Sequence, residues 1–216
     1  VMAGGALILL PLLGLRRAGE RAEGGLSARE VLGMLSYFGS IGFAFMFLEM
    51  ALLPKYILLL AHPIYSTTVA LGAVLVFAGC GSLSVRHMAG KFLWVAVACV
   101  CAWVLLQSLL EERLFAWVLG WPFGGRLAVS LVMVGSLSFF LGWPFPIGLR
   151  ETSIRFPSLV PWAWGINGCA SVIGAVLGKM LSMSVGLRTT MLVAALLYGF
   201  AASIFRFTLQ EPRKSR

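Results

Sequence analysis

Residues 92–110 read FLWVAVACVCAWVLLQSLL, nineteen consecutive residues without a charged side chain. Lys91 precedes the stretch, and Glu111-Glu112-Arg113 follows it directly. A helix needs about 20 mostly apolar residues to cross the ~30 Å hydrocarbon core of a bilayer. The stretch therefore predicts a transmembrane helix.

Six further apolar segments accompany it, at 1–15, 31–53, 64–85, 127–148, 159–184 and 187–207. We predict an all-α, polytopic transmembrane bundle of about seven helices: a lead-in segment at 1–15, a cytoplasmic linker at 16–30, a six-helix membrane domain at 31–207 and a basic tail at 208–216. The chain opens at Val1 inside an apolar run, which is typical of a processed protein or of a fragment of a longer one.

Composition excludes most soluble functions. Hydrophobic residues make up 60% of the 216 residues and charged residues only 12%, whereas soluble domains average about 45–50% and about 25%. The net charge of +9 comes from Lys and Arg at the ends of apolar runs. These cations indicate membrane orientation rather than nucleic-acid binding, so the lipid bilayer is the expected partner.

The Lys and Arg residues alternate between the two sides of the predicted spans. Twelve fall on one side and four on the other, with Lys179 inside a span. Because cytoplasmic loops carry the excess of basic residues, we predict that 16–30, 86–91, 149–158 and the C-terminal tail are cytoplasmic. The two sets are Arg16, Arg17, Arg21, Arg29, Arg86, Lys91, Arg150, Arg155, Arg206, Arg213, Lys214, Arg216 and, opposite them, Lys55, Arg113, Arg126, Arg188.

Small residues repeat along 159–184. Ala170, Gly174 and Gly178 recur every four residues, and Gly165 and Cys169 repeat the spacing one step round the helix. Small residues let membrane helices approach closely. The pattern predicts a tight helix–helix contact, and a sliding contact in a moving transporter would use the same residues.

Five polar residues within or beside the spans form a candidate polar site, because ionisable groups in lipid are costly. Glu49 precedes the predicted helix end at Leu53, so it either pairs with Lys55 or extends to the headgroups. His62 and Tyr65 open the next span, at a depth expected to match Glu49. Asn167 is either a hydrogen-bonded fastener between helices or part of an unwound turn that lines a cavity.

Two segments do not fit a regular helix. Residues 142–150 read GWPFPIGLR, and Pro144 and Pro146 with two Gly predict a broken or kinked helix end. With Gly165, Gly174 and Gly178, these two Pro are the candidate packing or hinge positions. Residues 114–126 contain two Trp and predict either a short interfacial helix followed by a turn or an aromatic belt.

The usual catalytic and metal-binding motifs are absent from the sequence. There is no HExxH, CxxC, Walker loop or GxGxxG, no Asp, and only two His. We predict no active site, metal or cofactor within this chain. Transport, membrane scaffolding and the membrane part of a larger enzyme remain open.

Three stretches together resemble a known family: 42–65 (GFAFMFLEMALLPKYILLLAHPIY), 142–150 and 160–174 (VPWAWGINGCASVIG). They are similar to the membrane portion of bacterial fused major facilitator / spermidine synthase proteins, over about residues 31–207. The resemblance implies a transporter-like region in the bacterial inner membrane, which follows a soluble aminopropyltransferase-like domain. It carries no catalytic residue onto this chain. The matching positions are Glu49, His62, Pro63, Tyr65, Pro144, Pro146, Arg150, Pro161, Trp162, Trp164 and Asn167.

The sequence departs from the patterns of known proteins at two places. Pro54-Lys55 occupies the place of a frequent Gln-Arg pair in relatives. Residues 81–86 (GSLSVR) resemble the start of the major facilitator loop signature, but Val85 replaces its acid.

Two functions follow from the sequence. One is the membrane domain of a spermidine-synthase-like or transporter-like protein that handles a small solute, cationic or apolar. The other is a scaffold or accessory subunit that docks onto other membrane subunits. A transporter should direct Glu49, His62, Tyr65 and Asn167 toward one cavity, whereas a scaffold should leave them dispersed.

Overall fold

The computed structural model describes residues 28–61, 63–85 and 92–207. Within these residues every secondary-structure element is a helix, as predicted. The lead-in segment, most of the linker, His62, the loop at 86–91 and the tail lie outside the described residues. The elements are α1 (Ala28–Leu60), α2 (Pro63–Ser84), α3 (Phe92–Val118), α4 (Phe123–Leu141), α5 (Pro144–Arg155), a 3₁₀ turn (Pro157–Leu159), α6 (Val160–Ser184) and α7 (Leu187–Phe205).

Six spans in the described part of the chain are long and apolar enough to cross a bilayer. Five are α1, α2, α3, α7 and the 3₁₀ turn with α6, and the sixth combines α4 with α5. This confirms a polytopic helical membrane bundle.

Helix α1 is the central element. It packs most extensively against α6 and α7, and also against α2, while α2 packs on α4 and α3 packs on α7 and α4. Met34, Tyr37, Ala44 and Leu48 of α1 are fully buried. The outer faces of the other helices carry exposed Leu and Val side chains, as expected of surfaces that contact lipid.

Helix α1 continues through Pro54 to Leu60, so the predicted end at Leu53 is wrong. Proline lacks the N–H that would donate to the carbonyl of Met50. Membrane helices tolerate this loss because neighbouring groups satisfy the freed carbonyl. Lys55 therefore lies on the helix and is only 4% exposed.

The prediction of a separate interfacial helix at 114–126 is also wrong. Helix α3 runs without interruption to Val118, and a turn leads to α4 at Phe123. Trp117 and Trp121 pack edge to face across this turn, with ring centroids 4.6 Å apart.

The helix breaks at Gly142 and Trp143, as GWPFPIGLR predicts. Helix α4 ends at Leu141, and α5 begins with Pro144 in its first turn. The backbone N–H of Gly142 donates to the carbonyl of Ser138 at 3.1 Å, as in a regular helix. The N–H of Trp143 donates to the carbonyl of Phe140 at 3.2 Å, since Pro144 has no N–H to offer it. Residues 149–155 are helical rather than the predicted loop, because α5 extends to Arg155.

Candidate functional site

A cavity of about 380 Å³ lies where α1, α2, α6 and the break between α4 and α5 meet. Most of the lining comes from α1, α2 and the residues around the helix break, with two residues from α6 and one from α7. Its lining residues are Ile41, Gly42, Phe45, Met46, Val74, Leu75, Ala78, Gly79, Ser82, Leu141, Gly142, Pro144, Phe145, Pro146, Asn167, Ser171 and Tyr198.

Asn167 lies on the α6 side of this cavity, directly against Gly42 of α1. A Cβ atom at Gly42 would stand 2.8 Å from the main-chain oxygen of Asn167 and 3.1 Å from its Oδ1. Only glycine therefore lets α1 and α6 approach this closely here. Ser171, one turn further along α6, donates its hydroxyl to the carbonyl of Asn167 at 2.8 Å. Helix α6 is continuous at this point, so the unwound turn considered for Asn167 does not form.

The helix break supplies main-chain polarity to the same space. Gly142, Pro144 and Pro146 all line the cavity. Pro146 has no N–H with which to close a helical hydrogen bond to the carbonyl of Gly142. Irregular backbone at membrane depth persists where it is buried in protein or lines a polar cavity. The carbonyl of Gly142 thus loses its helical N–H donor at a position that lines the cavity with Asn167.

No residue that carries a charge at neutral pH lines this cavity within the described ranges. Its polar side chains are Ser82, Asn167, Ser171 and Tyr198, and the rest of the lining is apolar or glycine. A charged ligand would leave water without a counter-charge, which is costly. The site suits a neutral molecule that forms one or two hydrogen bonds.

Of the four predicted polar-site residues that the structure describes, Asn167 alone lines this cavity. Glu49 is half-buried on α1, and Lys55 is buried further along the same helix. Tyr65 is 63% exposed, and its ring packs on Phe123 with centroids 6.2 Å apart. His62 lies outside the described residues.

The continuity of α1 changes the expectations for Glu49. On an unbroken helix, Glu49 and Lys55 are about 9 Å apart along the axis and point about 120° apart, so they do not form an i, i+4 pair. Glu49 also lies about 16 Å along the axis from Leu60, where the helix ends. Because His62 lies outside the described residues, the expectation that Glu49 and His62 share one depth stays a prediction.

A second polar cluster occupies the opposite end of the bundle, and the sequence interpretation missed it. The Gln107 amide donates to the Tyr56 hydroxyl at 3.4 Å, and Arg126 Nη1 donates to the Leu59 carbonyl at 3.2 Å. A cation at the C-terminal end of α1 stabilises the last carbonyls of the helix, which have no N–H partner within it. Gln107 is 1% exposed. An amide side chain within an otherwise apolar span is the sequence feature that could have identified it.

The predicted small-residue positions separate into two groups. Gly174 is buried against α1, where an added Cβ would lie 3.1 Å from Met46 Cβ, and Gly178 would meet Phe47 Cδ1 at 3.0 Å. Gly165 is exposed, and an added Cβ would meet no atom within 4 Å. Whether any of these positions acts as a hinge stays a prediction.

Comparison of the chain with models of known families, with curated proteins and with solved structures finds no match.

Proposed function

We propose that this chain is an integral membrane domain that binds, and moves across or within the bilayer, a small neutral solute in the cavity beside Asn167. The observation that carries the proposal is the placement of Asn167, Ser171 and the broken α4–α5 helix around one space inside a six-span bundle.

The helix break is the most informative of these features. Secondary transporters commonly form their substrate sites from interrupted helices, whose free backbone groups bind the solute. Here the interruption lies at Gly142 and Trp143, and Tyr37 holds the following helix by a hydrogen bond to the Pro144 carbonyl. A rigidly seated break beside a cavity is an arrangement that a plain structural bundle does not need.

The lining argues for a neutral solute rather than a polyamine. The resemblance to fused major facilitator / spermidine synthase proteins would also allow a cationic solute. A polyammonium ion needs carboxylates or several carbonyl groups to replace its water. The described lining contains no carboxylate, so a neutral solute with an apolar body fits it better.

A scaffold is the second candidate, and one observation favours it. Glu49, Lys55 and Tyr65 do not converge on the cavity that Asn167 lines. Such a scaffold would dock onto other membrane subunits or a soluble aminopropyltransferase-like domain, and its cavity would have no ligand specificity.

The two candidates differ in ligand binding. Three probes with similar tails and different head charges provide the test: hexanamide, hexylammonium and hexanoate. We expect hexanamide to raise the melting temperature of the detergent-purified protein, since a ligand at tenfold its Kd adds about 1.4 kcal/mol of stability. The two charged probes should produce little or no shift.

Two glycines of α2 provide matched variants for this test. Gly79 lines the cavity, whereas Gly72 does not, and an added Cβ meets nothing within 4 Å at either position. Gly79→Leu should abolish the hexanamide shift, and Gly72→Leu should retain it. Equal shifts from all three probes, or a shift that survives Gly79→Leu, would support the scaffold instead.

A further inference from the structure

We infer that the cavity opens sideways into the bilayer between α2 and α6, and that its ligand is a neutral, single-chain lipophile with one hydrogen-bonding head group. The inference rests on the proposed function and specifies the class of solute and its route of entry.

Helices α2 and α6, which both line the cavity, leave a gap between them. Helices α2 and α6 both pack on α1, but they do not pack extensively on each other. Two of the α2 residues that line the cavity are exposed, Gly79 and Leu75, the latter by 72%. The cavity therefore opens onto the outer surface of the bundle between α2 and α6.

The depth of this opening places it among acyl chains. Helix α2 crosses the bundle from Pro63 to Ser84. At 1.5 Å per residue, Leu75 lies about 17 Å from Ile64 and about 14 Å from Ser84, near the middle of the span. A bilayer's hydrocarbon core is about 30 Å thick. A molecule that enters beside Leu75 therefore comes from the lipid phase.

Polarity changes along the cavity. Ser82 lies two residues from the end of α2, and the helix break lies at the end of α4. Asn167 and Tyr198 are each about 10 Å from the ends of α6 and α7 at this side of the bundle. Val74 and Leu75 lie deeper, toward the bilayer centre. Ser171 lies at a similar depth, about 16 Å from Val160, and its hydroxyl already donates to the Asn167 carbonyl.

This gradient matches the orientation of an amphiphile in one leaflet. The polar head would lie beside Asn167 and the Gly142 carbonyl, and the chain would extend past Val74 and out beside Leu75. A charged head group would find no counter-charge among the described lining residues. A volume of about 380 Å³ is in the range of small-molecule pockets, which are about 300–1,000 Å³.

Photolabelling in vesicles tests this inference. The protein would be reconstituted in phosphatidylcholine vesicles with a dodecanol analogue that carries a mid-chain diazirine, then irradiated, digested and mapped by mass spectrometry. We expect adducts to concentrate on the lining segments of α1, α2 and α6. An excess of dodecanol should reduce the yield of these adducts at least fivefold. The same excess of dodecyltrimethylammonium should leave the yield unchanged.

Paired variants separate the cavity from the general lipid surface. Gly79→Leu should reduce cavity labelling at least fivefold, and Gly72→Leu should leave it unchanged. Ser171→Leu and Val172→Leu repeat the comparison on α6, since Ser171 lines the cavity and Val172 is 68% exposed outside it. The melting temperatures of all four variants report whether each remains folded. Labelling is compared within a pair only when both of its variants are folded.

The outcomes distinguish this inference from the proposed function. Labelling spread evenly over the exposed faces of all helices would overturn lateral entry. If hexanamide stabilises the purified protein but the dodecanol analogue does not label the cavity, the lipophile assignment fails and the proposed function stands. If neither probe binds in a way that depends on Gly79, both fail.

Discussion

The hydroxyl of Tyr37 donates a 2.7 Å hydrogen bond to the carbonyl oxygen of Pro144, 107 residues later in the chain. Tyr37 is fully buried on α1, and its ring packs on Phe38 and Phe205. An added Cβ at Gly148 of α5 would overlap this ring. Tyr37 therefore fixes the helix that follows the break against the central helix of the bundle.

Removal of the Tyr37 hydroxyl should destabilise the protein measurably. In Tyr37→Phe the Pro144 carbonyl loses its side-chain donor inside the bundle. We expect a loss of about 1 kcal/mol, the usual size for a hydrogen bond in proteins and the upper range in membrane proteins. Reversible unfolding in mixed micelles would measure it. Tyr37→Leu, which also removes the ring, should cost about 3 kcal/mol or more. Equal stability of wild type and Tyr37→Phe would show that the hydrogen bond contributes nothing.

Two glycines of α2 should respond differently to a single methyl group. At Gly81 an added Cβ would overlap the carbonyl oxygen of Phe139 in α4, whereas at Gly79 it would meet no atom within 4 Å. Because backbone cannot rotate away, Gly81→Ala should lose about 1–3 kcal/mol. Gly79→Ala should be neutral or slightly stabilising. Thermal melts in one detergent would compare them, and similar melting temperatures would contradict the close α2–α4 contact.

The contact between α1 and α6 should not accept a large side chain. Gly174→Leu would place a side chain where even a Cβ comes within 3.2 Å of Phe43 Cα. We expect it to lower the melting temperature far more than Leu177→Ala, because Leu177 is 44% exposed. Gly165→Leu, at an open position on the same helix, is the matched control. A loss after Gly174→Leu no larger than after the control would refute this packing face.

The basic-residue count makes a prediction about orientation. Ser153 and Arg188 are exposed and lie at opposite ends of α6, one before it and one after it. In a background without native cysteines, a membrane-impermeant maleimide should label Arg188→Cys in intact cells. It should label Ser153→Cys only after the cells are opened. Labelling of Ser153→Cys in intact cells would reverse the orientation.

Local sequence signals identified the structural features that depend only on residues close together in the chain. The two prolines of GWPFPIGLR placed the break correctly because a missing N–H acts within one turn. The same signal failed at Pro54, where the helix continues to Leu60. The outcome at a proline depends on whether other groups satisfy the freed carbonyl, and the sequence does not show which helices surround it.

The candidate site, too, could be predicted only in part from the sequence. Asn167 could be selected from the sequence, since an amide between glycines in a membrane span is rare and costly. The residues that line the cavity with it include Gly42 of α1, Gly142 at the helix break and Tyr198 of α7, and no spacing in the sequence connects them. Glu49 and Lys55 were grouped with Asn167 by residue type, and the course of α1 places them elsewhere.

The sequence by itself determined that this is a helical membrane protein, with helices in nearly the places that its apolar runs occupy. That result follows from a local requirement: each segment must cover its own backbone with apolar side chains over a bilayer's thickness. Only the tertiary structure decided that α1 is central, that the helix break faces a cavity, and that this cavity is uncharged along its described lining. These features arise from packing between segments far apart in the chain, where one glycine such as Gly42 decides how closely two helices approach.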